Sequence, residues 1–260
     1  MTETALKSMA GNRDLKAGHF LFEFNTPGIG YIMKEATCDF AIFDTEHSGY
    51  GIETVKSVVA YMRAAGVPTV VRVPSKDYKD IARTLDAGAE GVMLPMVSTA
   101  AEAEAIVHCI KYPPAGGRGV ILRSAHDRYT EGPTLEKLSE ANARTAFFAQ
   151  IETAEGVENA KAIAALPDVD CLWVGHFDLS CSLGIPGEFD NPLFTDAIAA
   201  VLDACRATNT SAGRLVPDVA DAVALYKQGF DFIAYSADAW AWGDAVKAGL
   251  TQIRSGCDAQ

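Results

Sequence analysis

The sequence contains no C-x-x-C pair, no histidines at zinc-finger spacing beside its cysteines and no H-E-x-x-H motif. Its six cysteines, at 38, 109, 171, 181, 205 and 257, are scattered. That argues against a disulfide framework or a zinc hydrolase and fits free thiols in a reducing compartment. There is no basic run longer than two residues, and the formal net charge is −12. An acidic surface repels phosphate backbones and anionic lipid, so neither nucleic acid nor a membrane is an expected partner. No window approaches the roughly 20 apolar residues that span a bilayer, and the first 18 residues lack the apolar core of a signal peptide. A cytoplasmic location is the expectation. No P-loop occurs, and no G-x-G-x-x-G follows the first apolar run, which disfavours a dinucleotide-binding open sheet.

What is present is a repeating alternation. Eight short apolar runs occur at 19–24, 38–44, 68–73, 90–97, 145–152, 169–175, 211–216 and 230–236, separated by stretches of helical period. Several are apolar almost throughout, as expected of strands covered on both faces. Eight such strand-and-helix units in 260 residues predict a single (β/α)8 barrel over residues 1–260. Residues 1–17 form an N-terminal extension. The segment 111–134, "KYPPAGGRGVILRSAHDRYTEGPT", is punctuated by proline and glycine, and its length suggests a loop over the barrel acting as a lid or subunit contact. The last stretch, "DAWAWGDAVKAGLTQIRSG", reads as an amphipathic helix carrying two tryptophans suited to the barrel or to a partner subunit.

Active sites of (β/α)8 barrels lie at the carboxyl ends of the strands. There the sequence places Glu23, then Asp44, Glu46 and His47, then Arg72, Gln150 with Glu152, Asp178, and Arg214 with Leu215. Glu152 and Asp178 make a hard oxygen pair suited to Mg²⁺ or Mn²⁺; each also suits a helix start, where the dipole favours a carboxylate. Arg72 can hold an oxyanion in two parallel hydrogen bonds or pair with an acid at the same rim. His47 has the chemistry of a general base near neutral pH, or a structural role. A Schiff-base lysine has no candidate, because Lys34, Lys56, Lys76 and Lys79 fall in helices or loops.

The motifs "FDTEHSG", "VRVP", "LDAGAEGVMLPMV", "YPPAGGRG", "QIET" and "GHFDLS", in this order, resemble the HpcH/HpaI aldolases, from about residue 18 to residue 250. The resemblance implies a barrel of the phosphoenolpyruvate/pyruvate type and a class II aldolase. Such an enzyme cleaves a 4-hydroxy-2-keto acid to pyruvate or a related 2-keto acid and an aldehyde, using a divalent ion such as Mg²⁺, Mn²⁺ or Co²⁺. By resemblance, Glu152 and Asp178 are metal ligands, and Asp44 and Glu46 hold waters around the ion. Gln150 and Arg72 lie beside the keto acid, the amides around Phe177 and Asp178 receive its carboxylate, and Leu215 borders the aldehyde. His47 becomes the acid/base group, oriented by Asp86 of a neighbouring subunit. The assembly implied is a hexamer, a trimer of dimers, with the last helix exchanged. The family has proline where this chain has His176, a departure in the wall on the carboxylate side. Two rival readings are an acyl-CoA lyase of the citrate/malyl-CoA type and a non-catalytic 2-keto acid-binding barrel.

Overall fold

The computed structural model describes residues 6–258. Eight parallel strands close into a barrel in sequential order: β1 (Lys16–Leu21), β2 (Phe40–Asp44), β3 (Thr69–Arg72), β4 (Gly91–Leu94), β5 (Ala146–Ile151), β6 (Cys171–Val174), β7 (Ser211–Val216) and β8 (Phe232–Ala237). Closure removes the sheet edges and excludes the open sheet.

Because successive side chains point to opposite faces, each strand feeds two cores. Phe20, Phe40, Ile42, Val70, Met93, Phe148, Trp173 and Phe232 fill the barrel interior. Their alternates, among them Phe43, Val71, Val92, Phe147, Ile151 and Leu172, pack outward under the helices. Ring contacts bind the interior: Phe148 lies 5.0 Å from Phe232, and Phe40 lies 5.1 Å from Phe232. Burying each aromatic ring contributes about 1.5–3 kcal/mol. Gly18 has no side chain because Phe40 occupies that space; a Cβ there would meet the ring at 2.5 Å.

The same alternation positions the polar residues. Counting inward-facing places from Phe40 and Ile42 brings β2 to Asp44. From Val70, β3 reaches Arg72, and from Ala146 and Phe148, β5 reaches Gln150 and then Glu152. The barrel is apolar to near its carboxyl end and polar at the rim.

Three expectations need revision. The N-terminal extension is part of the core: helix Leu6–Met9 seals the amino end of the barrel, with Leu6 fully buried in the interior cluster, and β1 starts at Lys16. The 111–134 segment does not lie over the catalytic mouth. It follows a helix (Ala100–Ile110) and leads to another before β5, so it runs at the amino end of the barrel. There Arg63 donates to the Ala125 carbonyl, and Arg118 pairs with Asp86 at 2.6 Å. The last helix, Asp238–Asp258, buries only Asp238 and leaves Trp240, Trp242, Val246, Leu250 and Ile253 exposed.

Candidate active site

A cavity of about 290 Å³ opens at the carboxyl end of the strands, and Asp44, His47, Arg72, Gln150, Phe177, Asp178 and Leu215 all line it. Larger hollows of about 740 and 620 Å³ lie away from these residues, against the outer helices.

Asp44 and Arg72 are register partners on β2 and β3. The arginine donates through Nε to Asp44 Oδ1 at 2.8 Å and through Nη2 to Oδ2 at 2.7 Å. This bidentate pair is the rim ion pair that was one of the two readings of Arg72, and it occupies Asp44 more directly than organising water would. Asp44 Oδ1 also accepts the Glu46 N–H at 2.9 Å. Burial opposes the arginine's charge, but Asp44, Glu46 and Glu152 more than compensate and hold its pKa above the usual value. Nη1 makes no hydrogen bond among the described residues, leaving one donor for a ligand oxygen.

Glu46 is half-buried, and its Oε2 makes no hydrogen bond; Arg72 Nε lies 3.3 Å away and His47 Nε2 3.6 Å. Desolvation raises its pKa against the pull of Arg72 and His47. His47 stands on the rim with 66% of its side chain exposed, and Glu46 is the carboxylate beside it. Asp86 does not reach it within the chain: Asp86 closes helix Tyr78–Asp86 at the opposite end of the barrel, paired with Arg118.

Glu152 is the most demanding group. It is 2% exposed and has no ion pair; Oε1 accepts the Met96 N–H at 2.6 Å and Oε2 accepts Gln150 Nε2 at 2.5 Å. Burial, with Glu46 and Asp178 adding negative charge, pushes its pKa up to about 7. Met96 adopts the left-handed region at φ 56° while making this contact, a strained geometry for a non-glycine residue. Gly175 faces the same carboxylate closely enough that a Cβ would lie 2.2 Å from Oε2. Glu152 is not a helix cap, since Thr153 caps the following helix. Asp178 is exposed in the first turn of helix His176–Ser182.

These groups fit a divalent ion. A buried carboxylate without a cation, within reach of two more acids, calls for positive charge, and Gln150 Oε1 is buried without a partner. Among the described residues no three His, Cys, Asp or Glu converge into a preformed cage. Two carboxylates with several open positions suit Mg²⁺-like coordination, which leaves room for substrate oxygens.

His176, at the departure from the family motif, packs its ring 4.6 Å from Phe177 and 5.3 Å from Phe189. Burial, with Arg214 adding to it, lowers its pKa to about 4. Arg214 points outward from β7, stacked between Phe189 and Phe194, and takes no part in the cavity. Glu23 is exposed past the end of β1, with its N–H held by Asp238. Sequence reasoning missed Met96, Gly175 and the aromatic wall of Phe20, Phe22, Trp173 and Trp240. The inward parity of β1 and β6 carried a signal for Phe20 and Trp173; the backbone turn at Met96 carried none.

The family model described as HpcH/HpaI aldolase/citrate lyase matches residues 20–242. A hydroxypyruvate/pyruvate aldolase of Chromohalobacter salexigens is 36% identical over 83% of this chain and 84% of its own. A 4-hydroxy-2-oxovalerate aldolase of Novosphingobium aromaticivorans is 36% identical over 90% and 88%. The crystal structure of an HpcH/HpaI aldolase/citrate lyase family protein from Burkholderia cenocepacia superposes with a TM-score of 0.90 at 31% identity, covering 97% of this chain and all of the other.

Proposed function

The chain belongs to the HpcH/HpaI aldolase/citrate lyase family, and from that premise we propose that it is a metal-dependent carbon–carbon lyase. Its reaction is the reversible cleavage of a 4-hydroxy-2-keto acid into pyruvate, or a relative such as hydroxypyruvate, and an aldehyde. The observation that carries this reading is Glu152, a buried carboxylate without a counter-cation at the floor of a barrel-mouth cavity, beside Gln150 and Asp178.

Glu152 and Asp178 hold the ion, with Mg²⁺, Mn²⁺ or Co²⁺ the candidates. Such an ion supplies Lewis acidity at a keto oxygen and so favours negative charge there in the transition state. Gln150 fixes the Glu152 carboxylate by its amide hydrogen bond. The N–H groups around Phe177 and Asp178, at a helix start, receive the substrate carboxylate. Arg72, clamped in place by Asp44, keeps Nη1 for the developing oxyanion, a preorganised donor that needs no reorientation during reaction. His47 takes the 4-hydroxyl proton as the C3–C4 bond breaks, with Glu46 as the carboxylate that stabilises its protonated form.

The exposed apolar face of the last helix supports assembly with further copies of the chain, a hexamer by family pattern. No helix among the described residues is long and apolar enough to cross a membrane, and the acidic charge with scattered cysteines supports a cytoplasmic setting. A CoA thioester is less well served: Arg72 is the one arginine or lysine lining the cavity, and Asp44 holds it. The test is pyruvate release from a 4-hydroxy-2-keto acid by chelator-treated protein reloaded with each ion. Release restored by an ion supports the proposal. Release by none of the three, or full metal-dependent activity in Glu152→Ala, refutes it.

A further inference from the structure

We propose that the aldehyde partner is apolar and aromatic rather than one bearing a second carboxylate. This deepens the aldolase reading and rests on it, since the keto acid must occupy the polar end of the cavity. Gln150, Asp178 and Arg72 line that end. What remains for the second reactant is walled by Phe20, Phe22, Trp173, Leu215, Ala237 and Trp240.

The wall is built rather than incidental. Inward parity on β1 and β6 places Phe20 and Trp173 on the floor, 4% and 2% exposed, with ring centroids 6.5 Å apart. Above them Phe22 meets Trp240 edge to face at 5.7 Å. Trp240 is 49% exposed, so much of its surface stays open. Aromatic faces and edges of this kind attract another ring through complementary quadrupoles as well as by burial. A cavity near 290 Å³ is at about the lower end of small-molecule pockets, enough for pyruvate and one ring.

Charge points the same way. Arg72 already binds Asp44 through two nitrogens and has its third for the keto acid. His176 is engaged with two phenylalanine rings, and His47 stands outside on the rim beside Glu46. Asp44 and Asp178 line the cavity, with Glu46 and Glu152 behind them. A second carboxylate would lose its hydration next to these acids and find no cation to replace it.

In the synthetic direction a proton leaves C3 of pyruvate, C3 bonds to the aldehyde carbon, and the former carbonyl oxygen takes a proton; nothing is oxidised or reduced. The experiment measures kcat/KM for Mn²⁺-loaded protein adding pyruvate to benzaldehyde, acetaldehyde and succinic semialdehyde. Benzaldehyde should exceed succinic semialdehyde by at least ~10-fold, in line with discrimination by a few pocket contacts. Trp240→Arg, a change on a half-exposed helix face, should cut that ratio by about tenfold or more. A ratio at or below one in the unmodified protein overturns the inference while product formation keeps the aldolase reading. An unchanged ratio in Trp240→Arg overturns the assigned wall. No product from any of the three aldehydes overturns both.

Discussion

Replacing Glu152 with glutamine should remove activity and yet make the metal-free protein more stable. The carboxyl is 2% exposed and lacks a cation, and burial beside Glu46 and Asp178 lifts its pKa from 4.5 to about 7. A carboxyl with a higher pKa folded than unfolded holds its proton more tightly when folded. Folded stability therefore falls as pH rises from about 4.5 through about 7, and the loss is complete above that. At ~1.4 kcal/mol per tenfold, the difference between 4.5 and about 7 is worth about 3 kcal/mol. The glutamine variant never carries the charge, so at pH 8 it should recover that amount. Its amide keeps both contacts. The new oxygen still accepts the Met96 N–H, and the new NH₂ faces Gln150, whose unpartnered Oε1 can accept once the side chain flips. The assay is thermal unfolding of chelator-treated protein at pH 5 and pH 8. A gain of 3 kcal/mol raises Tm by ~6–12 °C in a chain of this size, and the gain should nearly vanish at pH 5. An equal or lower Tm at pH 8 would refute the claim that Glu152 is a strained charge awaiting a cation.

Three further outcomes follow from neighbouring contacts. Arg72→Met leaves Asp44, 3% exposed, without its bidentate partner, and should cost about 3–5 kcal/mol in urea unfolding; Asp44→Leu in the same chain should recover much of it, and a neutral single variant would contradict the pairing. Gly175→Ala drives a Cβ against Glu152 Oε2 and Gln150 Nε2. It should weaken Mn²⁺ binding by roughly 10–100-fold in titration, whereas an unchanged Kd would mean that the cradle is irrelevant. Phe148→Ala empties the barrel interior beside Trp173 and Phe232. It should lower stability by about 3–5 kcal/mol, and a loss under 1 kcal/mol would mean the interior is not packed as described.

The barrel was legible because strands buried on both faces leave nearly unbroken apolar runs, and β2, β5, β6 and β7 fall where those runs do. The limits of β1 were not. It begins at Lys16 and passes through Gly18, and neither residue looks apolar; Lys16 is buried there because Asp231 pairs with it at 3.1 Å. The position of 111–134 was recoverable from connectivity alone, since a segment running from a helix to the next strand returns to the amino end of the barrel. Length suggested a lid; topology excludes one over this mouth. The rim residues were readable from strand-end parity, but their pairing was not. Register sets Asp44 against Arg72, and only the fold reveals that Glu152 has acids and amides around it rather than a cation. Asp86 pointed to His47 by resemblance, and within the chain Arg118 holds it at the far end.

The most direct test of the account is deuterium exchange at C3 of pyruvate in D₂O, followed by proton NMR with no aldehyde present. Chelator-treated protein should leave the methyl protons in place, Mn²⁺ or Mg²⁺ should start their loss, and Glu152→Gln should not respond to either ion. Exchange that persists undiminished after chelation, or in the Glu152→Gln variant, would contradict a metal-dependent aldolase centred on Glu152.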